Sequence, residues 1–147
     1  MNALLTNLDE LASHSNVLIL TTSNITSAID DAFLDRADIK QYIGNPSLPA
    51  RYSILKSCVE ELIRVGILFP NTKFKPYLQI EEDGTMHSAL LQVAKTTEGL
   101  SGRCLRKLPT IAHAYTNRTT LSVRSFLKLL DQAAITELAA RQEVGVR

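Results

Sequence analysis

Val17-Leu18-Ile19-Leu20-Thr21-Thr22-Ser23-Asn24 is the stretch that decides how the rest of the chain is read. Four consecutive apolar residues passing straight into a polar Thr/Ser/Asn tail predict a strand buried on both faces of a parallel sheet and ending at its carboxyl edge. Ligands of α/β sheets gather at that edge. A polar side chain there faces the crevice, and an amide such as that of Asn24 can orient a water beside a phosphate. The same residues also suit a plain Ser/Asn turn. A single parallel strand cannot persist alone, because its edges and faces need neighbours.

Working outward, Leu4, Leu5, Leu8, Leu11 and Ala12 fall at helical spacing and predict a helix over 2–12, with nothing before Asn2 to cap it. On the other side, a polar stretch over 30–38 leads to Ile39-Lys40-Gln41-Tyr42-Ile43, a second strand candidate closed by the turn residues Gly44-Asn45-Pro46. Ser47 then opens a helix whose stripe is Ile54, Leu55, Cys58, Val59, Leu62 and Ile63, with Gly66 placed to end it. Residues 67–85 read as a long connection with a short strand near 77–80. A helix over 86–97 carries Leu90, Leu91 and Ala94 inward. Ser101 caps another, bearing Leu105, Leu108, Ile111, Ala112 and Tyr115 and kinked by Pro109. Ser122 caps the last, with Phe126, Leu127, Leu130, Ala134 and Leu138. The expected fold is α/β plus all-α: residues 1–46 are the C-terminal part of an α/β unit and residues 47–147 a helical unit of roughly four helices.

With 147 residues, 45% of them hydrophobic, the chain can bury a real core. Its net charge of +1 sets up no global field, yet residues 99–130 hold six basic residues and no acidic one. The aromatics among them, Tyr115 and Phe126, fall on apolar helix stripes and form no base-stacking platform, so one face of a helical unit fits better than a nucleic-acid site. Cys58 and Cys104 lack partners at metal-ligand spacing, which favours a reduced compartment. His14, His87 and His113 are scattered and read as structural. No segment resembles a leader or a membrane span, so the expectation is a soluble chain.

Two further constellations carry chemistry. In Asp30-Asp31-Ala32-Phe33-Leu34-Asp35-Arg36-Ala37-Asp38, one arginine sits among four carboxylates. Arginine suits bidentate contact with phosphate across an interface, and the acids beside it can hold the guanidinium until nucleotide arrives. The same cluster also fits a set of surface ion pairs. In Glu98-Gly99-Leu100-Ser101-Gly102-Arg103, a capping serine between two glycines lets a helix N-terminus approach another backbone, and Arg103 in its first turn can reach a phosphate. A capped helix with exposed arginines reads equally from these residues.

Taken in order, the strand with Thr-Thr-Ser-Asn24, then Ile29-Asp30 with Ala32-Phe33, Asp35-Arg36-Ala37-Asp38, and Gly99-Leu100-Ser101-Gly102-Arg103 resemble the C-terminal part of the AAA+ family. Residues 2–6, 20–26, 35–44, 57–62 and 99–109 are similar to the pachytene checkpoint protein 2 group within it. The resemblance implies that Asn24 is the sensor-1 residue placing the attacking water. It implies that Arg36 is the arginine finger reaching nucleotide in a neighbouring subunit, standing alone where many members have two. Arg103, with Ser101 and Gly102, becomes the sensor-2 element acting on nucleotide in its own subunit. It further implies ATP and magnesium as cofactors, a homo-oligomeric ring, most simply a hexamer, and HORMA-domain proteins as clients in meiosis and checkpoint control. The location implied is nucleus and cytoplasm, with association to meiotic chromosomes. The chain itself contains no Gly-x-x-x-x-Gly-Lys-Ser/Thr loop (Walker A) and no apolar strand ending in Asp-Glu (Walker B), so it is not expected to hydrolyse ATP alone. The alternative is a non-catalytic helical module that binds partner subunits.

Overall fold

The computed structural model describes residues 2–24, 30–81 and 84–145, apart from the side chains of residues 2, 4, 144 and 145. Thr26 and Ile29, which contribute to the family resemblance, lie outside the described residues. The chain divides into two compact units, Met1–Ile43 and Gly44–Arg147.

In the first unit, α1 (Asn2–Ala12) forms as its apolar spacing predicts, with Leu5 and Leu8 half-buried. A short helix α2 (Asp31–Leu34) starts where the Asp30 carboxylate accepts a hydrogen bond from the Ala32 N–H at 2.9 Å. The two strand expectations are not met: residues 17–20 and 39–43 carry no strand pairing. The reason is physical. A parallel strand exists only through a ladder with a neighbour, and among the described residues of this unit none pairs. The runs are left open to solvent, with Leu18 and Leu20 each 83% exposed and Ile39 and Ile43 each 85% exposed.

The second unit holds the core. Helix α3 (Leu48–Arg64) begins after Ser47, whose side chain makes no capping bond; Pro49 in the first turn supplies the helical φ instead. It ends in a Schellman arrangement in which Ile67 N–H donates to Leu62 C=O and Gly66 N–H to Ile63 C=O, each at 3.0 Å. Gly66 takes φ +80°, where a Cβ would be strained. Tyr52, Leu55 and Val59 line its buried stripe.

Helices α4 (Met86–Thr96), α5 (Gly102–Ala114) and α6 (Val123–Gly145) complete the packing: α3 lies against α4 and α5, and α6 against α4 and α5. Leu90, Leu105, Leu108, Phe126 and Leu130 are fully buried between them. Helix α5 stays helical across Pro109. Ser122 caps α6, its hydroxyl oxygen accepting from Ser125 N–H at 3.2 Å.

Two features depart from expectation. Tyr77–Gln79 is a turn of 3₁₀ helix and not a strand. A two-residue parallel ladder, β1 (Leu68–Phe69) against β2 (Leu121–Ser122), joins the connections after α3 and α5 with Leu68 opposite Leu121. Each strand puts one leucine into the core.

Candidate functional site

The turn from α4 to α5 is built from the residues upward. Beyond the end of α4, Thr97 is fully buried and its hydroxyl donates to Ala94 C=O at 2.9 Å. Gly99 adopts φ +82°, which reverses the chain, and Leu100 anchors the turn in the core. The Ser101 hydroxyl oxygen then accepts from Cys104 N–H at 3.3 Å and caps α5. Arg103 stands exposed in the first turn and makes no hydrogen bond or ion pair with a described residue. No acidic side chain occupies that turn to compete for it. The positive helix end and an unengaged guanidinium therefore coincide, a pairing suited to an anion.

Gly102 needs a correction. The expectation was a close approach to another backbone; a Cβ at Gly102 would instead meet the Ile54 side chain at 3.8 Å, an ordinary contact.

Beside Arg103 in the first turn of the helix, the Cys104 thiol donates to a Glu137 carboxylate oxygen on α6 at 3.2 Å, and Arg141 Nε donates to the same oxygen at 3.2 Å. Burial, and then the hydrogen bond to Glu137 and its charge, push the Cys104 thiol above its usual range.

In the first unit, Arg36 is held by a different acid from those expected. Its Nε and Nη2 donate to the two carboxylate oxygens of Asp9 on α1, at 2.6 and 3.0 Å, and Nη1 donates to Ala32 C=O at 2.6 Å. Asp30 caps α2 instead, and acts on Arg36 only through its charge, as Asp35 does. The Asp9 hydrogen bonds hold its carboxyl below the usual carboxylate range. A guanidinium offers five N–H donors. Three are used here, so one N–H on each terminal nitrogen remains for a phosphate oxygen, and the Asp9 fork orients the group without consuming it.

Asn24 is exposed at the last described position after the 17–20 run. No hydrogen bond joins it to Arg36 among the described residues. Thus Ser101, Gly102 and Arg103 come together at one helix start, while Asn24 and Arg36 each stand separately in the other unit. Among the described residues no three His, Cys, Asp or Glu side chains gather as a metal site, and no helix is long and apolar enough to cross a membrane.

The family described as TRIP13-like, AAA+ ATPase lid C-terminal domain, matches residues 47–138, which span helices α3 to α5 and most of α6. The chain belongs to this family. It is similar to the pachytene checkpoint protein 2 homolog of Homo sapiens, 43% identical, with 99% of this chain and 35% of the human protein covered. The homolog of Oryza sativa subsp. indica is 49% identical over 95% of this chain and 33% of its own length. That of Arabidopsis thaliana is 51% identical over 78% and 28%. A solved structure titled "Structure of C. elegans PCH-2" superposes with TM-score 0.79 at 35% identity, covering 95% of this chain and 39% of that one. The chain thus spans roughly a third of the curated relatives it matches. Its helical second unit is the lid of a TRIP13-like AAA+ protein.

The sequence reading missed one residue that shapes the site, Asp9. Asp9 lies 27 positions from the arginine it holds, and no spacing rule links them.

Proposed function

We propose that this chain is the sensor and lid portion of a ring-forming AAA+ ATPase that uses ATP hydrolysis to remodel HORMA-domain proteins in meiotic recombination and checkpoint control. The observation that carries the proposal is the lid-family match over 47–138. Residues 1–46 act as the end of the large α/β subdomain and residues 47–147 as the lid. Asn24 places the attacking water. Arg36, oriented by Asp9, reaches nucleotide in the neighbouring subunit. Arg103, at the helix start prepared by Ser101 and Gly102, engages nucleotide of its own subunit. An arginine that stabilises charge on a transferring phosphoryl group is worth orders of magnitude in rate, roughly 10³ or more. ATP and magnesium belong to the whole protein, whose phosphate loop and metal-binding acid would come from sequence outside this chain. The protein works in nucleus and cytoplasm and on meiotic chromosomes.

The test joins this chain to the part of the Oryza sativa relative that precedes its matched region, and measures ATP turnover of the graft. Arg36→Ala and Arg103→Ala should each lower turnover at least about tenfold. Mixing Arg36→Ala subunits with subunits that keep Arg36 but lack the phosphate-binding lysine should restore part of it, because the finger acts in trans. A graft that assembles and hydrolyses ATP equally well with both arginines replaced would defeat this mechanism and leave the chain as a helical interaction module.

A further inference from the structure

Arg51 is the only buried charged side chain among the described residues, at 7% exposure. It sits on the apolar stripe of α3 and forms no ion pair with a described residue. A guanidinium withdrawn from water without a carboxylate is costly unless strong acceptors replace the lost solvent. Two carbonyls do so. Arg51 Nε donates to Ala94 C=O at 2.9 Å, and Nη1 donates to Pro46 C=O at 3.1 Å. Ala94 lies in the last turn of α4, whose carbonyls lack intrahelical partners and carry the negative end of the helix dipole.

Pro46 belongs to the segment that precedes α3, and its neighbour Asn45 reaches the same region by a second route: Asn45 Nδ2 donates to Gly99 C=O at 3.0 Å. The segment 45–46 is therefore tied at two points around the α4–α5 turn, once through Arg51 to Ala94 at the end of α4 and once directly to Gly99 within the turn. Four residues beyond Gly99 stands Arg103. One helical turn beyond Arg51, Ile54 lies against Gly102.

We infer that Arg51 is a positioning residue for Arg103. By holding segment 45–46 and the α4–α5 turn as one piece, it sets where the start of α5 stands. This rests on the nucleotide-engaging role of Arg103 proposed above. Lysine could keep the charge but not the planar fork that serves two separated carbonyls, and leucine would keep only bulk.

The experiment makes two measurements on Arg51→Leu, Arg51→Lys and Asn45→Ala. The first is amide hydrogen exchange in the 147-residue chain. Thr97 N–H bonds to Val93 C=O and Leu100 N–H to Thr97 C=O, so both report on the turn. Exchange at these two amides should rise about tenfold in Arg51→Leu and less in the other two variants, with Leu130 and Ala134 of α6 unchanged. The second is ATP turnover of the graft described above. There Arg51→Leu should lower kcat about tenfold with KM for ATP within about twofold, and Arg51→Lys should recover part of the loss.

Unchanged exchange at Thr97 and Leu100 overturns the inference whatever turnover does, and so does a rise spread equally over α6, which would mark Arg51 as a general core residue. A local rise with turnover lost in Arg103→Ala but not in Arg51→Leu also overturns it. A local rise with turnover unaffected by either substitution overturns instead the role of Arg103 on which the inference stands. Should Arg51→Leu not fold, Arg51→Lys and Asn45→Ala carry both measurements.

Discussion

Tyr52 shows how a single buried group ties this lid to pH. Its ring is fully enclosed, its hydroxyl donates to Lys75 C=O at 2.9 Å, and burial followed by the Glu60 charge pushes the phenol from 10.0 up to about 12. A raised phenol means that the folded state prefers the neutral form. The stability this gives is whole below pH 10 and is lost as pH climbs through about 12. Tyr52→Phe should therefore unfold at lower urea at neutral pH, by about 1 kcal/mol for the lost hydrogen bond. It should also decline less steeply than the unsubstituted chain between pH 10 and 12. Parallel alkaline declines would show that Tyr52 is not the group responsible. Asp9 has the opposite sign: its lowered carboxyl grips Arg36 above the ordinary aspartate range and lets go as pH falls below it. At this scale Arg36 and Arg103 were legible as unusual arginines. Their surroundings were not, because hydrogen bonds between residues far apart in sequence leave no periodic trace.

Among the elements, α5 shows how a local signal and a tertiary one combine. Ser101 supplies the cap, and Leu105, Leu108 and Ala112 supply the buried face. Ser101→Ala should cost about 1 kcal/mol of stability in urea unfolding. Ser101→Asp, which can restore the acceptor, should recover most of that; equal loss in both variants would mean that the cap contributes nothing. The four lid helices were legible because each carries an apolar stripe several turns long, bounded by Ser, Gly or Pro. The two-residue strands β1 and β2 were not, since period-two alternation cannot be seen over two residues. Tyr77 and Ile80 suggested a strand by residue type, yet both pack against the core from a 3₁₀ turn and its end.

For the molecule as a whole, the division of labour is uneven. The Gly44–Arg147 unit carries its own core, whereas the 17–20 and 39–43 runs present Leu18, Leu20, Ile39, Tyr42 and Ile43 to solvent at 83% or more. Apolar runs of strand-forming type left open in this way are prone to pair with other chains. The 147-residue chain should accordingly self-associate at micromolar concentration in sedimentation experiments, and a version starting at Gly44 should remain monomeric with the same helical content per lid residue. Equal association of the two would move the sticky surface to the lid. The sequence predicted these runs as strands and the structure leaves them unpaired, because strand structure belongs to a pair of segments and not to either alone.

The Cys104–Glu137–Arg141 triplet across α5 and α6 has a practical corollary. The sulfur is covered, and its thiol is kept in the unreactive neutral form. A thiol reagent at neutral pH can therefore modify Cys104 only when α5 parts from α6. The chain thus carries a built-in chemical clock for the separation of α5 from α6, at the residue next to Arg103.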